Sequence, residues 1–274
     1  MDRDLFGILA FFSFAMGACI ASFLNVVIWR VPRGESIVRP PSHCPKCNAP
    51  IRWYQNLPIL SWLALRGRCA NCKAPISPRY ILVETLGGLL FLAAFARFGV
   101  WAPLMWVWIS LMIVGSFIDF DLQLLPDFVT VGGMIYGVLL SVAAMFAPLP
   151  VFVGGPFGFP LFNSLVGLAF GFGLLWLVRF FGSKAFRREA MGLGDVFLMG
   201  AIGALFGPVA VLVTLILSSV VGSVVGLGMI VMSKARFGRF VEIPFGPYIC
   251  LGCLAWMFYG PELVSAYLSL LKAA

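Results

Sequence analysis

Eight long apolar runs, joined by short polar segments, restrict this chain to an all-α, polytopic membrane protein. They cover 5–29, 80–98, 101–119, 127–147, 160–181, 191–207, 208–232 and 244–271. Crossing a bilayer core takes roughly 20 apolar residues as a helix, because a helix satisfies its own backbone polar groups where water is absent. The 274 residues are 61% hydrophobic and 11% charged, with a mean hydropathy of +1.02, more apolar than a soluble core requires. The first run lacks a basic start and a small-residue cleavage site, so it is expected to stay as a helix rather than leave as a signal. The weakest boundary is Phe206-Gly207-Pro208, where one long stretch must turn back with only a Gly-Pro turn signal. No internal repeat or low-complexity tail is evident. The expected fold has about eight transmembrane helices.

Charge orients the helices. Of the 19 Lys and Arg, only Arg3, Arg97 and Lys272 lie on the far side if the N-terminus is outside and 30–79 is cytoplasmic. The loops 120–126, 182–190 and 233–243 then share the cytoplasmic side, and the uncharged loop 148–159 suits the outer face. The net charge of +8 therefore reflects the positive-inside rule, and the bilayer rather than nucleic acid is the expected partner.

Segment 30–79 is the one sizeable polar region, too short and Pro-rich to bury a good core alone. It carries Cys44-Pro45-Lys46-Cys47 and Cys69-Ala70-Asn71-Cys72, a pair of CxxC turns. Four thiolates match the tetrahedral geometry of closed structural Zn²⁺ sites, so Cys44, Cys47, Cys69 and Cys72 are the expected ligands of a small zinc-ribbon-like insertion after the first helix. Lys46, Arg68 and Lys73 offset the thiolate charge. His43, the single histidine, is expected to be a surface residue. Cys250-Leu251-Gly252-Cys253 is also a CxxC, but inside an apolar run it reads as helix packing.

Ionisable residues at membrane depth are costly and point to function. Asp119 closes one apolar run, and Asp195 lies in Met191-Gly192-Leu193-Gly194-Asp195. The topology places both at cytoplasmic helix ends, at similar depth. Gly192 and Gly194 are expected to leave the backbone bare, so that a substrate strand can approach. Two adjacent carboxylates share a proton, and one can activate water while the other donates to a scissile carbonyl. Asp127, beside Pro126, is expected to complement a helix N-terminus, and Asp121 to be solvated. Glu84, near Arg79, reads as an interfacial carboxylate, and Glu242 lies in a loop entering the last run. A proton-coupled transporter using these acids as a relay is the alternative, though internal repeats that would favour it are not seen.

The motifs together resemble the type IV prepilin peptidases over nearly the whole chain. Ser22-Phe23-Leu24-Asn25-Val26-Val27-Ile28-Trp29-Arg30-Val31-Pro32, the two CxxC pairs, Pro58-Ile59-Leu60-Ser61-Trp62, Pro75-Ile76-Ser77-Pro78-Arg79-Tyr80 and Val83-Glu84 are similar to the family's opening half. Asp119-Phe120-Asp121-Leu122-Gln123-Leu124-Leu125-Pro126-Asp127 resembles the first peptidase motif, Gly192-Leu193-Gly194-Asp195 the second, and Ile243-Pro244-Phe245-Gly246-Pro247 the closing one. The resemblance implies a GxGD aspartic peptidase of the bacterial inner membrane. Such enzymes cut leaders from type IV prepilins and type II secretion pseudopilins on the cytoplasmic side, with Asp119 and Asp195 as the matching catalytic pair. It also implies N-methylation of the new terminus from S-adenosylmethionine, tied to the cysteine-bearing region. The implied organisation is a first helix at 1–29, a four-cysteine zinc-binding region at 30–79 and a peptidase domain at 80–274. One departure is Val196-Phe197, where members often carry a lysine.

Overall fold

The computed structural model describes residues 3–147, 159–189, 191–232 and 244–273. The expected loop 233–243, Glu242 within it, and all of the loop 148–159 except Phe159 lie outside the described residues. Nine α-helices are described: α1 (Arg3–Arg30), α2 (Leu60–Ala64), α3 (Arg79–Phe98), α4 (Ala102–Leu122), α5 (Asp127–Ala143), α6 (Pro160–Phe186), α7 (Leu193–Phe206), α8 (Pro208–Met232) and α9 (Gly246–Ala273). Each expected apolar run forms a helix, and α2 is a short extra one in the polar segment.

Among the described residues, five segments are long and apolar enough to cross a membrane: Arg3–Arg33, Arg79–Leu122, Pro160–Ala185, Pro208–Met229 and Gly246–Lys272. The second of these holds two helices, α3 and α4. Helices α5 and α7 are apolar but only 17 and 14 residues long, short of the roughly 20 a full crossing takes. The shortening of α7 has a local cause. Gly192 is extended at ψ 147°, and Gly207 adopts φ 84°, ψ 179°, which an L-residue cannot hold comfortably. Pro208 then opens α8, so the Gly-Pro joint turns the chain as expected.

The chain forms two compact units, Met1–Val114 and Gly115–Ala274, with the division inside α4. In the first unit α1 packs along α3. A Cβ on Gly17 would stand 2.5 Å from the Gly87 carbonyl oxygen, and one on Gly87 would collide with Ala21. Close backbone approach of this kind is how helices associate in lipid, where no hydrophobic effect drives them together. Asn25 donates to the Tyr80 carbonyl (3.4 Å). Trp106 stacks on Phe91 at 5.1 Å and donates its indole N–H to the Phe91 carbonyl (3.0 Å).

Buried Glu84 accepts the Ile59 N–H at 2.8 Å. Ile59 sits at φ 63°, ψ −54°, in a γ-turn closed by Leu60 N–H on the Pro58 carbonyl. For a β-branched residue this conformation costs about 1–3 kcal/mol and survives only where neighbours impose it. The carboxylate thus anchors the polar segment to α3.

In the second unit α7 is the central element, packed by α5, α6, α8 and α9. From Asp195 to Leu205 every residue but Phe197 is buried. A Cβ on Gly167 of α6 would run into the Gly203 carbonyl of α7, and the reverse holds for Gly203. Ser164 bonds the Ala204 carbonyl across the same seam (2.6 Å).

These contacts predict that Gly167→Ala forces α6 and α7 apart, at a cost of about 1–3 kcal/mol for overpacking. Gly173→Ala, which meets nothing within 4 Å, should be neutral or slightly stabilising. Thermal unfolding of the purified variants distinguishes them, and equal melting temperatures would refute the packing account.

Candidate functional site

Four aspartates compete for the site, and burial separates them. Asp119 is 5% exposed and Asp195 is 7% exposed. Asp121 and Asp127 are exposed. Asp127 is the first residue of α5, with Pro126 as its N-cap, where a carboxylate suits the helix dipole. It stays outside the buried pair.

Asp119 lies in the last turn of α4. Its Oδ2 accepts the N–H of Gly246, the first residue of α9, at 3.0 Å in a buried hydrogen bond. The N-terminal N–H groups of a helix lack intrahelical partners, so α9 offers a donor that its own backbone does not use. A Cβ on Gly246 would come within 2.7 Å of that oxygen; any larger residue displaces the carboxylate. This explains the glycine of the Pro244-Phe245-Gly246-Pro247 motif.

Asp195 lies in the first turn of α7 and interacts electrostatically with Asp119. The Gly192 backbone also interacts with its carboxylate. Its Oδ1 is buried and has no hydrogen-bond partner among the described residues. The structure therefore places Asp119 and Asp195 as two buried acids within electrostatic reach of each other, one tethered and one whose Oδ1 has no partner among the described residues.

The two GxGD glycines differ. Gly192 is exposed, and a Cβ there would meet Asp195 Oδ2 at 3.5 Å and the Gly194 nitrogen at 4.0 Å, both ordinary contacts, so this backbone is open as expected. Gly194 is not bare. A Cβ there would stand 2.8 Å from the Leu125 side chain, so the α4–α5 joint, not a substrate, occupies the space its missing side chain leaves. At the departure from the family pattern, Val196-Phe197, Val196 is fully buried and Phe197 is half-buried.

Cys250, expected as a packing residue, is buried as such a residue would be and also reaches the site. Its thiol is hydrogen-bonded to Ser116 and interacts electrostatically with both Asp119 and Asp195. The available signal was its spacing, one helical turn beyond Gly246.

Cys44, Cys47, Cys69 and Cys72 gather with all four Sγ atoms within 4.8 Å of one another. Cys44 and Cys72 sulfurs are 3.8 Å apart, too far for a disulfide. A tetrahedral ion with Zn–S of about 2.3 Å has sulfur–sulfur edges of about 3.8 Å, so the donor set fits. His43 is exposed, its Nδ1 3.1 Å from the Pro41 carbonyl oxygen, and takes no part.

The expected absence of repeats is corrected here. Cys44–Ile51 (CPKCNAPI) and Cys69–Ile76 (CANCKAPI) are two copies of one knuckle. In each, the first Cys N–H bonds an Ala carbonyl five residues on (Ala49, Ala74), and the residue after the second Cys has positive φ (Asn48 55°, Lys73 59°). Matching bridges, His43 with Pro50 and Arg68 with Pro75, close them. The copies are eight residues long and degenerate, below what a search for longer repeat periods registers.

These turns tune the thiols. The Ala49 N–H, then the Asn71 amide, bring Cys47 down to about 6. The Cys72 and Asn71 N–H groups lower Cys69. For Cys72 the Ala74 N–H pulls downward, but partial desolvation and the three neighbouring thiols outweigh it and push Cys72 up to about 11.

Residues 15–98 match the bacterial peptidase A24 N-terminal domain, and residues 106–227 match the type IV leader peptidase family. A prepilin leader peptidase/N-methyltransferase of Myxococcus xanthus is 44% identical over 238 residues, 85% of this chain and 66% of that protein. One of the same name from Stutzerimonas stutzeri is 35% identical over 280 residues, 92% of this chain and 91% of its own. A type 4 prepilin-like proteins leader peptide-processing enzyme of Escherichia coli is 36% identical over 263 residues, 88% of this chain and 91% of that one. No solved structure matches. Likeness at these levels, running almost end to end, means that the chain belongs to the type IV leader peptidase family.

Proposed function

We propose that this protein is an aspartic endopeptidase that removes the leader from type IV prepilins and type II secretion pseudopilins, with Asp119 and Asp195 as the catalytic pair. The observation that carries this reading is the pairing of two buried carboxylates, one tethered through Oδ2 to Gly246 and one with an unpartnered Oδ1. One carboxylate takes a proton from water as the water oxygen attacks the scissile carbonyl. The other donates to the carbonyl oxygen, and the leaving amine collects its proton as the tetrahedral intermediate collapses. The Gly246 tether fixes the Asp119 plane, and Asp195 Oδ1 is available for the substrate or the water. Gly192, open at the surface, gives an extended peptide a place to run.

The positive-inside count supports a cytoplasmic site in the bacterial inner membrane, with the N-terminus outside. A prepilin with a basic leader and a long apolar helix would then present its cleavage point at that interface. The transporter alternative loses support, because the family matched by residues 106–227 is one of leader peptidases.

The names of the relatives extend the reading to N-methylation of the new terminus, an activity that takes S-adenosylmethionine as methyl donor. The resemblance ties it to the retained 30–79 region; no residue is assigned to the donor. In that region Cys44, Cys47, Cys69 and Cys72 would hold one structural zinc. A closed four-cysteine site leaves no coordination position for catalysis. The first helix at 1–29, the cysteine region at 30–79 and the peptidase part at 80–274 follow this division of labour.

Asp119→Asn and Asp195→Asn should each fold normally and lose leader cleavage of a membrane-embedded prepilin by a factor on the order of 10⁴. Wild-type cleavage by either variant would sink the assignment. Elemental analysis of protein purified without chelator should find about one zinc per chain, as a closed four-cysteine site requires. Cys44→Ser should lose the metal and expose 30–79 to proteolysis; an unchanged digestion pattern would argue against a structural ion.

A further inference from the structure

We infer that Ser116 and Cys250 are a positioning pair behind the two carboxylates, tying α4 to α9 so that Gly246 stays on Asp119. This rests on the reading of Asp119 and Asp195 as the catalytic pair. The helical register leads to it. Ser116 precedes Asp119 by three residues and Cys250 follows Gly246 by four, so each lies one turn farther along the same face of its helix. The Asp119–Gly246 bond is one rung between the two helices, and the Ser116–Cys250 hydrogen bond is the next. Cys250 is 1% exposed, and its thiol acts electrostatically on both acids.

A buried side chain serving only to pack would need no hydroxyl facing it. Here a thiol and a hydroxyl meet beside the carboxylates, where each polar group requires a partner. With the second rung in place, the first turn of α9 cannot swing away. With it broken, the Gly246 N–H is free to drift from Asp119 Oδ2, and a small misplacement of a reacting group slows chemistry more than it weakens binding. Neither residue touches the substrate in this account; both act through Asp119.

The test uses the full-length enzyme in lipid with an intact prepilin, rates being expressed per folded molecule. Cys250→Ala and Ser116→Ala should each lower kcat about tenfold with KM little changed. The double variant should be no slower than either single, because both remove one bond. Cys250→Ser, which keeps a hydrogen-bonding group, should recover most of the lost rate. An unchanged kcat in both alanine variants, a loss confined to KM or to folded yield, or a Cys250→Ser as slow as Cys250→Ala would overturn the inference. Should Cys250→Ala fail to fold, Ser116→Ala alone decides by the same kcat criterion. Asp119→Asn in parallel separates the two levels of argument. If it cleaves, the catalytic pair itself is wrong; if it is inactive while the alanine variants match wild type, only the positioning role fails.

Discussion

A single buried hydrogen bond, from the Gly246 N–H to Asp119 Oδ2, joins helix ends 127 residues apart in sequence. On it depends whether an acid at the end of α4 is a liability or a tool. A carboxylate buried in an apolar bundle needs a donor, and the first turn of α9 supplies one without a side chain. The glycine is required because any Cβ would occupy the space of the carboxylate. The other acid is placed by packing rather than tethering. Helix α7 is buried almost throughout, and its backbone touches α6 through Gly167 and Gly203. That contact leaves Asp195 little freedom, while its Oδ1 has no partner among the described residues. One acid tethered and the other held with a free oxygen is an arrangement suited to moving a proton between water and a peptide.

The first unit solves a different problem. Its polar segment is too small for a core, and it is held by Glu84 on a strained Ile59 turn and by two copies of a cysteine knuckle. Each knuckle aims backbone N–H groups at sulfur, and the pair makes a four-sulfur cage of the size a tetrahedral zinc ion fills. The duplication accounts for the matching CxxC spacing of the two cysteine pairs more simply than a disulfide framework would.

Much of this was legible in the sequence, for physical reasons. Long apolar runs leave a helix in lipid no competitor, so every expected run became one. Acids are rare in this chain, so Asp119 and Asp195 stood out. What was hidden depended on contacts between distant segments. Gly194 looked bare until Leu125 was found against it. Cys250 looked like packing because nothing local shows that α9 runs beside the end of α4. The knuckle repeat was readable in Cys44–Ile51 and Cys69–Ile76, but its shared turn geometry shows only in the backbone. The short α7 also escaped the hydropathy reading, because Gly192 is extended and Gly207 takes a positive φ, so the apolar residues beyond them do not lengthen the helix.

The central claim is that Asp119 and Asp195 act on one peptide bond. The most direct measurement is a structure of the enzyme with a leader peptide whose scissile bond is replaced by a hydroxyl-bearing mimic of the tetrahedral intermediate. The account predicts that the hydroxyl lies between the two carboxylates, about 3 Å from an oxygen of each. A mimic bound productively with its hydroxyl in contact with only one of them, or with neither, would contradict it.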